Sequence, residues 1–122
     1  MYKYSDTHEW VDFKDGIATV GVTHFAQQEL GEVVYVELPE IGKTVNVGEE
    51  VAVLESTKAA ADIYSPLTGT ITEVNHKLDT ASELVNKSPE KEGWLFKMKP
   101  TDPNEINKLM DEITYKGLVS GQ

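Results

Sequence analysis

Glu55-Ser56-Thr57-Lys58-Ala59-Ala60-Ala61-Asp62-Ile63-Tyr64-Ser65-Pro66 is the stretch on which the reading of this chain turns. Just before it, Val51-Ala52-Val53-Leu54 is a continuous apolar run, the pattern of a short strand buried on both faces. Asp62-Ile63-Tyr64 leads extended toward Pro66, whose ring disfavours helix in the residue before it. Beyond Gly69, Thr70-Ile71-Thr72-Glu73-Val74 alternates polar and apolar, as a half-buried strand does. Two strands meeting at Thr57-Lys58 predict a hairpin with the lysine at its tip. Hairpin tips favour Asn-Gly or Asp-Gly, which reach positive φ at little cost. This tip has no glycine, so something other than ordinary turn chemistry selects its residues.

Upstream, residues Trp10 to Phe13 alternate as a strand, Asp15-Gly16 makes a hairpin turn, and Ile17-Ala18-Thr19-Val20-Gly21-Val22 returns. Thr23 is a good N-cap for a short helix over Phe25-Ala26-Gln27-Gln28-Glu29-Leu30, and Gly31 stops it. His8-Glu9 lacks the second histidine of a zinc-protease motif, since position 12 is Asp12. His24 and His76 stand in other segments, so surface or packing roles are expected for all three histidines rather than a metal.

Residues 32 to 99 show a weak internal duplication. Gly42 to Val53 carries strand, turn and strand ahead of Lys58. Thr70 to Asn75, then Leu78, Leu84-Val85 and Trp94-Leu95-Phe96-Lys97-Met98, repeats the scheme after it. Similar halves around a central hairpin predict a mainly β fold, a quasi-two-fold sandwich of two small antiparallel sheets. The last element reads as one amphipathic helix over about 103–116. Asp102 caps it, Pro103 takes its first position and Glu105 completes a capping-box pattern. Ile106, Leu109, Met110 and Ile113 follow as a single apolar stripe, and Tyr115-Lys116-Gly117 ends it.

At 122 residues the expectation is one domain over 1–122, with the hairpin and short helix in 1–31 and the core in 32–99. There is no cysteine, hence no disulfide framework, thiolate metal site or cysteine nucleophile. No apolar segment approaches a membrane span, and Met1 to Asp6 has neither signal- nor transit-peptide character, so a cytoplasmic protein is expected. The Asn86-Lys87-Ser88 sequon then reads as accidental. Formal net charge is −10, from 21 acidic residues against 11 basic ones, all of them lysine. Such a surface repels nucleic acid and anionic lipid, and steers toward partners with basic docking faces. The same charge also keeps a mobile protein soluble.

The central stretch resembles the attachment motif of the lipoate-carrying H-protein family of the glycine cleavage system. The resemblance extends over nearly the whole chain and in the family's order. It takes in His8-Glu9-Trp10-Val11, Val20-Gly21-Val22-Thr23 and Leu30 to Pro39 upstream. Downstream it takes in Pro66-Leu67-Thr68-Gly69, Glu73-Val74-Asn75, Glu83-Leu84-Val85-Asn86 and Gly93-Trp94. Thr57 stands where many members carry valine, and Glu90 follows Pro89 where many carry tyrosine.

The resemblance implies the sandwich of lipoyl and biotinyl carriers, and lipoic acid in amide linkage to Lys58. It implies a non-enzymatic carrier, in which a swinging arm folds back into a cleft lined by Thr7, Glu9, Glu29 and Asp62. Glu29 replaces a histidine found in some members. Glu55 and Asp62, flanking the tip, read as solvated carboxylates that a lipoyl ligase would recognise. The implied partners are a pyridoxal-phosphate glycine decarboxylase, a tetrahydrofolate-dependent aminomethyltransferase and dihydrolipoyl dehydrogenase. A monomer suits an arm that must visit several enzymes. Biotin carriers usually bracket their lysine with methionines, whereas Thr57 and Ala59 do so here. A lipoyl relay to 2-oxoacid dehydrogenases and an unmodified β-sandwich adaptor stay open as alternatives. A small acidic enzyme finds no Ser-His-Asp grouping, metal set or phosphate loop to use.

Overall fold

The computed structural model describes residues 2–121. Among the described residues nine strands form two antiparallel sheets. β1 (Tyr2–Tyr4), β2 (Glu9–Lys14) and β3 (Ile17–Val22) run first, followed by α1 (His24–Leu30) and β4 (Val33–Glu37). β5 (Thr44–Val45), β6 (Glu50–Ser56), β7 (Ala60–Tyr64) and β8 (Gly69–Val74) come next, then α2 (Glu83–Lys87), β9 (Phe96–Pro100) and α3 (Glu112–Ser120). One sheet has the order β4-β6-β7; the other has the order β1-β2-β3-β9-β8-β5. Between residues 32 and 100 each sheet therefore owns three strands, as duplicated halves should supply. The N-terminal three add to the second sheet through β3 pairing with β9.

The β2–β3 turn has positive φ at both Asp15 (54°) and Gly16 (81°), the mirror-image turn whose twist matches two paired strands. Apolar side chains from both sheets fill the space between them, with Val11, Val20, Leu54, Ile71, Leu95, Phe96 and Met98 essentially sealed from solvent. Within β6, Val51, Ala52 and Leu54 are buried, but Val53 is half-buried. The continuous run is thus less symmetric than the sequence suggested. A second cluster, Tyr4, Trp10 and Tyr115, ties α3 to the N-terminal strands. Tyr4 and Tyr115 stack with centroids 4.7 Å apart.

The C-terminal expectation needs correction. Instead of one helix over 103–116, Pro103–Lys108 forms a short 3-10 helix and α3 begins afresh at Glu112. Leu109 is extended, and Met110 exchanges two 2.8 Å backbone hydrogen bonds with Tyr4. Asp111 then caps a new helix by accepting the Thr114 N–H at 2.8 Å. The apolar stripe breaks with it: Ile113 is 85% exposed. The new helix runs past Gly117 to Ser120. Asp102 does cap the first piece, accepting from the Asn104 N–H at 3.0 Å. Glu105 does not close a capping box, because its carboxylate takes the Thr68 N–H (2.8 Å) and hydroxyl (3.1 Å) instead. A second correction concerns Leu84-Val85, which lie in α2 rather than in a repeated strand.

Candidate functional site

The expected hairpin exists, with β6 paired to β7 and Lys58 at the apex. Its glycine-free turn is made by a side chain. Ser56 Oγ accepts the Lys58 N–H at 3.1 Å and the Ala59 N–H at 3.0 Å, and its hydroxyl lies 3.1 Å from the Ala59 carbonyl as donor. The Ser56 N–H also donates to that carbonyl at 2.7 Å. A serine hydroxyl thus replaces the backbone acceptor that a two-residue turn normally uses. No residue from 56 to 59 needs a positive φ, and none has one. The sequence reading passed over Ser56; a serine two residues before a tip residue was the available signal.

Two further contacts seat the tip. The Thr57 N–H donates to the Glu32 carbonyl at 3.1 Å. The lysine stem lies over Gly31, where an added Cβ would come within 3.1 Å of Lys58 Cε. Gly31 also sits at φ +93°, so the helix stop and the lysine seat both call for glycine at this position. Lys58 itself is exposed, and among the described residues no carboxylate lies within ion-pair distance of its amine. An unpaired amine on an immobilised turn fits an amide-linked prosthetic group.

The other expected residues separate into groups. Thr7 and Glu9 do meet, in a cavity of about 560 Å³ also lined by Val47, Tyr64, Leu109 and Met110. Glu29 and Asp62 are not among its lining residues. Glu29 is exposed near the end of α1, one residue before Leu30-Gly31. Asp62 is exposed on β7, and its negative charge pushes the Glu50 carboxyl above its ordinary range. Glu55 is exposed on β6, opposite Ala60 on one side and Tyr35 on the other. A flanking carboxylate is therefore present on each strand of the hairpin.

Glu9 is 1% exposed, and both of its carboxylate oxygens meet donors. Its Oε1 accepts the Ser5 hydroxyl at 2.6 Å and the Thr7 hydroxyl at 2.5 Å, and its Oε2 accepts the Tyr64 N–H at 3.4 Å. Burial pushes its pKa above the ordinary carboxylate range; the three hydrogen bonds oppose that shift without cancelling it. Because the folded value lies above the unfolded one, Glu9 favours folding at low pH. That contribution fades as pH rises from the ordinary carboxylate range through the folded value. Glu9→Gln removes the titration, so the mutant's melting temperature relative to wild type should rise between pH 4 and pH 8. A difference that stays constant across those pH values in paired thermal melts would overturn this.

Of the histidines, His8 packs against neighbouring rings, while His24 and His76 are exposed. His8 Nδ1 lies 2.8 Å from the Tyr115 hydroxyl, which also meets Thr23 Oγ1 at 2.6 Å. Glu90, one of the two departures from the family pattern, has a clear task here. Its Oε2 accepts the His24 N–H at 2.8 Å, supplying a carboxylate to the first turn of α1, which has no acidic residue of its own. Among the described residues no group of three or more His, Asp or Glu is arranged to hold a metal. No described helix is long and apolar enough to cross a membrane.

The chain is 60% identical over 116 residues to the glycine cleavage system H protein of Thermotoga maritima, spanning 95% of this chain and 94% of that one. It is 50% identical over 121 residues to the H protein of Marinobacter nauticus, spanning 98% and 93%. The crystal structure of the glycine cleavage system H protein from Mycobacterium marinum superposes with a TM-score of 0.90 at 34% identity, over 98% of this chain and 96% of that one. The profile of the Glycine cleavage H-protein family matches residues 2–122, and the chain belongs to that family, one of lipoyl carriers rather than catalysts.

Proposed function

We propose that this chain is the lipoylated carrier of the glycine cleavage system. It carries the aminomethyl group of glycine, on a lipoyl arm at Lys58, from the pyridoxal-phosphate glycine decarboxylase to the tetrahydrofolate-dependent aminomethyltransferase. Dihydrolipoyl dehydrogenase then reoxidises the arm. The observation that supports this reading most directly is Lys58: an exposed, unpaired amine at the apex of a hairpin fixed by Ser56 and Glu32. Attached lipoic acid supplies a dithiolane that opens on reduction and holds a fragment on sulfur.

The chain's own work is to hold and present. A rigid tip makes each visit effectively intramolecular once the carrier has docked, and an exposed one lets a ligase and several clients reach the same amine. Glu9 is the residue suited to a cationic amine in the cavity. Its Oε1 is taken by two hydroxyls, whereas Oε2 has only the long Tyr64 bond and keeps acceptor capacity for a charge-assisted hydrogen bond. Thr7 holds Glu9 in place, Asp62 and Glu29 lie outside this cavity, and Glu55 and Asp62 mark the tip for the ligase. The carrier works as a monomer in the cytoplasm.

An intact-mass spectrum of chain purified from a host with lipoylating enzymes tests the assignment. A lipoyl increment mapped to Lys58 is expected; a biotinyl increment, or none, overturns it. Docking carries its own prediction. With net charge −10, association with basic enzyme faces should weaken as salt screens it, so the decarboxylase's apparent KM for the carrier should rise with ionic strength. A KM that is flat from low to high salt would count against charge-steered docking.

A further inference from the structure

The seat of Lys58 is itself held by side chains that no feature of the tip reveals. From α2, Asn86 reaches the outer side of edge strand β4. Its Oδ1 accepts the Val33 N–H at 2.8 Å, and its Nδ2 donates to the Val33 carbonyl at 3.0 Å. One amide thereby satisfies both backbone groups that an edge residue otherwise leaves open. Asn86 Oδ1 also accepts from Gln27 Nε2 at 3.2 Å, and the same nitrogen donates to the Gly31 carbonyl at 3.2 Å. Gln27 is only 6% exposed, and its backbone carbonyl accepts the Gly31 N–H at 2.9 Å. Residues 31 to 33 are therefore gripped at both ends. Between the grips lie the two contacts that seat the tip: the bare Gly31 under the lysine stem and the Glu32 carbonyl on the Thr57 N–H. The side chain of the sequon's asparagine is half-buried, with both its oxygen and its nitrogen bonded to the protein.

We propose that Asn86, acting with Gln27, is a positioning device for the acceptor lysine. It fixes the 31–33 link and, through that link, the place from which Lys58 is offered to the enzyme that acylates it. The proposal rests on the carrier reading. Acylation needs the amine within about 3 to 3.5 Å of the activated carbonyl and correctly aligned, so a wandering tip lowers the fraction of productive encounters. Neither amide is charged. Salt therefore leaves this grip intact while it weakens docking, which separates the two effects experimentally.

The test uses the full-length unmodified chain and the variants Asn86→Ala and Asn86→Asp. The aspartate keeps the acceptor for Val33 N–H and loses the donor to its carbonyl. Amide hydrogen exchange is followed at Thr57 and, for reference, at Ile71 and Leu95, whose N–H groups are bonded within the core. Loss of the grip should speed Thr57 exchange about tenfold relative to those references, the scale of one net hydrogen bond. Acylation by a lipoate ligase supplied with lipoate and ATP should fall about threefold to tenfold in kcat/KM, at low and high salt alike. Should Asn86→Ala fail to fold, Gln27→Met removes the other amide at similar length and must show the same pair of effects. Thr57 protection that falls only in step with Ile71 and Leu95 would reduce Asn86 to a structural residue and overturn the proposal. So would unchanged acylation of a chain whose Thr57 amide has loosened. A wild-type chain that takes up no lipoyl group fails the carrier reading instead, and the exchange result still decides whether the grip exists.

Discussion

Lys58→Arg should leave a chain that folds and melts like wild type and accepts no lipoyl group at all. The arginine keeps a long cationic stem over Gly31, and the original amine has no ion pair among the described residues to lose. The backbone contacts of the tip come from Ser56 and Glu32 and do not involve the side chain at 58. Stability should therefore change by no more than about 0.5 kcal/mol, as for exposed sites generally. Guanidinium is protonated at any physiological pH and is a poor nucleophile toward an activated acyl group. The measurements are circular dichroism with thermal melting, intact mass after exposure to ligase, and glycine-dependent carbon dioxide exchange with the other components. Turnover by a homogeneous mutant would refute covalent carriage. A collapse of the melt would instead reveal a packing role for the lysine stem.

The largest effect on folding is expected at a residue far from any chemistry. Gly69 opens β8, paired with Pro100 on β9 and Val45 on β5. A Cβ built there would stand 2.3 Å from the Lys99 carbonyl oxygen and 2.9 Å from the Lys99 carbonyl carbon. Both are backbone atoms in a paired strand, so no side chain can swing away to make room. Gly69→Ala should cost about 3 kcal/mol, at the upper end of overpacking penalties. For a chain of this size that lowers the melting temperature by about 10 to 15 °C. A shift of a degree or two in a thermal melt would show that β9 yields there more readily than its pairing suggests. Gly21 is closed for a different reason: an added Cβ there would stand 2.7 Å from ring atoms of Trp10, which is buried and donates its indole N–H to the Pro89 carbonyl.

What the sequence made legible follows its physics closely. The hairpin around Lys58 and the Asp15-Gly16 turn are local patterns, governed by alternation and by turn residues near in sequence, and both appear in the fold. The C-terminal helix misled because its helical pattern is local while the competing force is not. Met110 leaves helix to pair with Tyr4, more than a hundred positions away, and Asp111 is free to cap a second helix. Glu105 likewise abandoned a short-range capping pattern for Thr68. At the site, family resemblance implied one cleft lined by Thr7, Glu9, Glu29 and Asp62, whereas the cavity is lined by Thr7 and Glu9 and not by the other two. It could not show that Asp62 lies against Glu50 outside that cavity, because which carboxylates share a face depends on the β6–β7 register and its irregularity near Glu50. The sequence shows Asn86 only as part of an accidental sequon and a family segment, and its role stayed hidden for a similar reason: its partners, Val33 and Gln27, stand 53 and 59 residues away.

The Ser56 turn has a consequence for the residue beside the lysine. A turn built on left-handed backbone dictates its apex residues, since only glycine and a few others tolerate that conformation. Here the reversal is enforced from the strand end by a hydroxyl, and residue 57 contributes to the frame only its N–H, given to the Glu32 carbonyl. Every residue except proline has that N–H to give. The side chain at 57 is thus decoupled from the architecture that carries it, a blank face beside the amine that foreign surfaces alone can read. Threonine there, in place of the common valine, puts a hydroxyl into that reading frame at no cost to the hairpin.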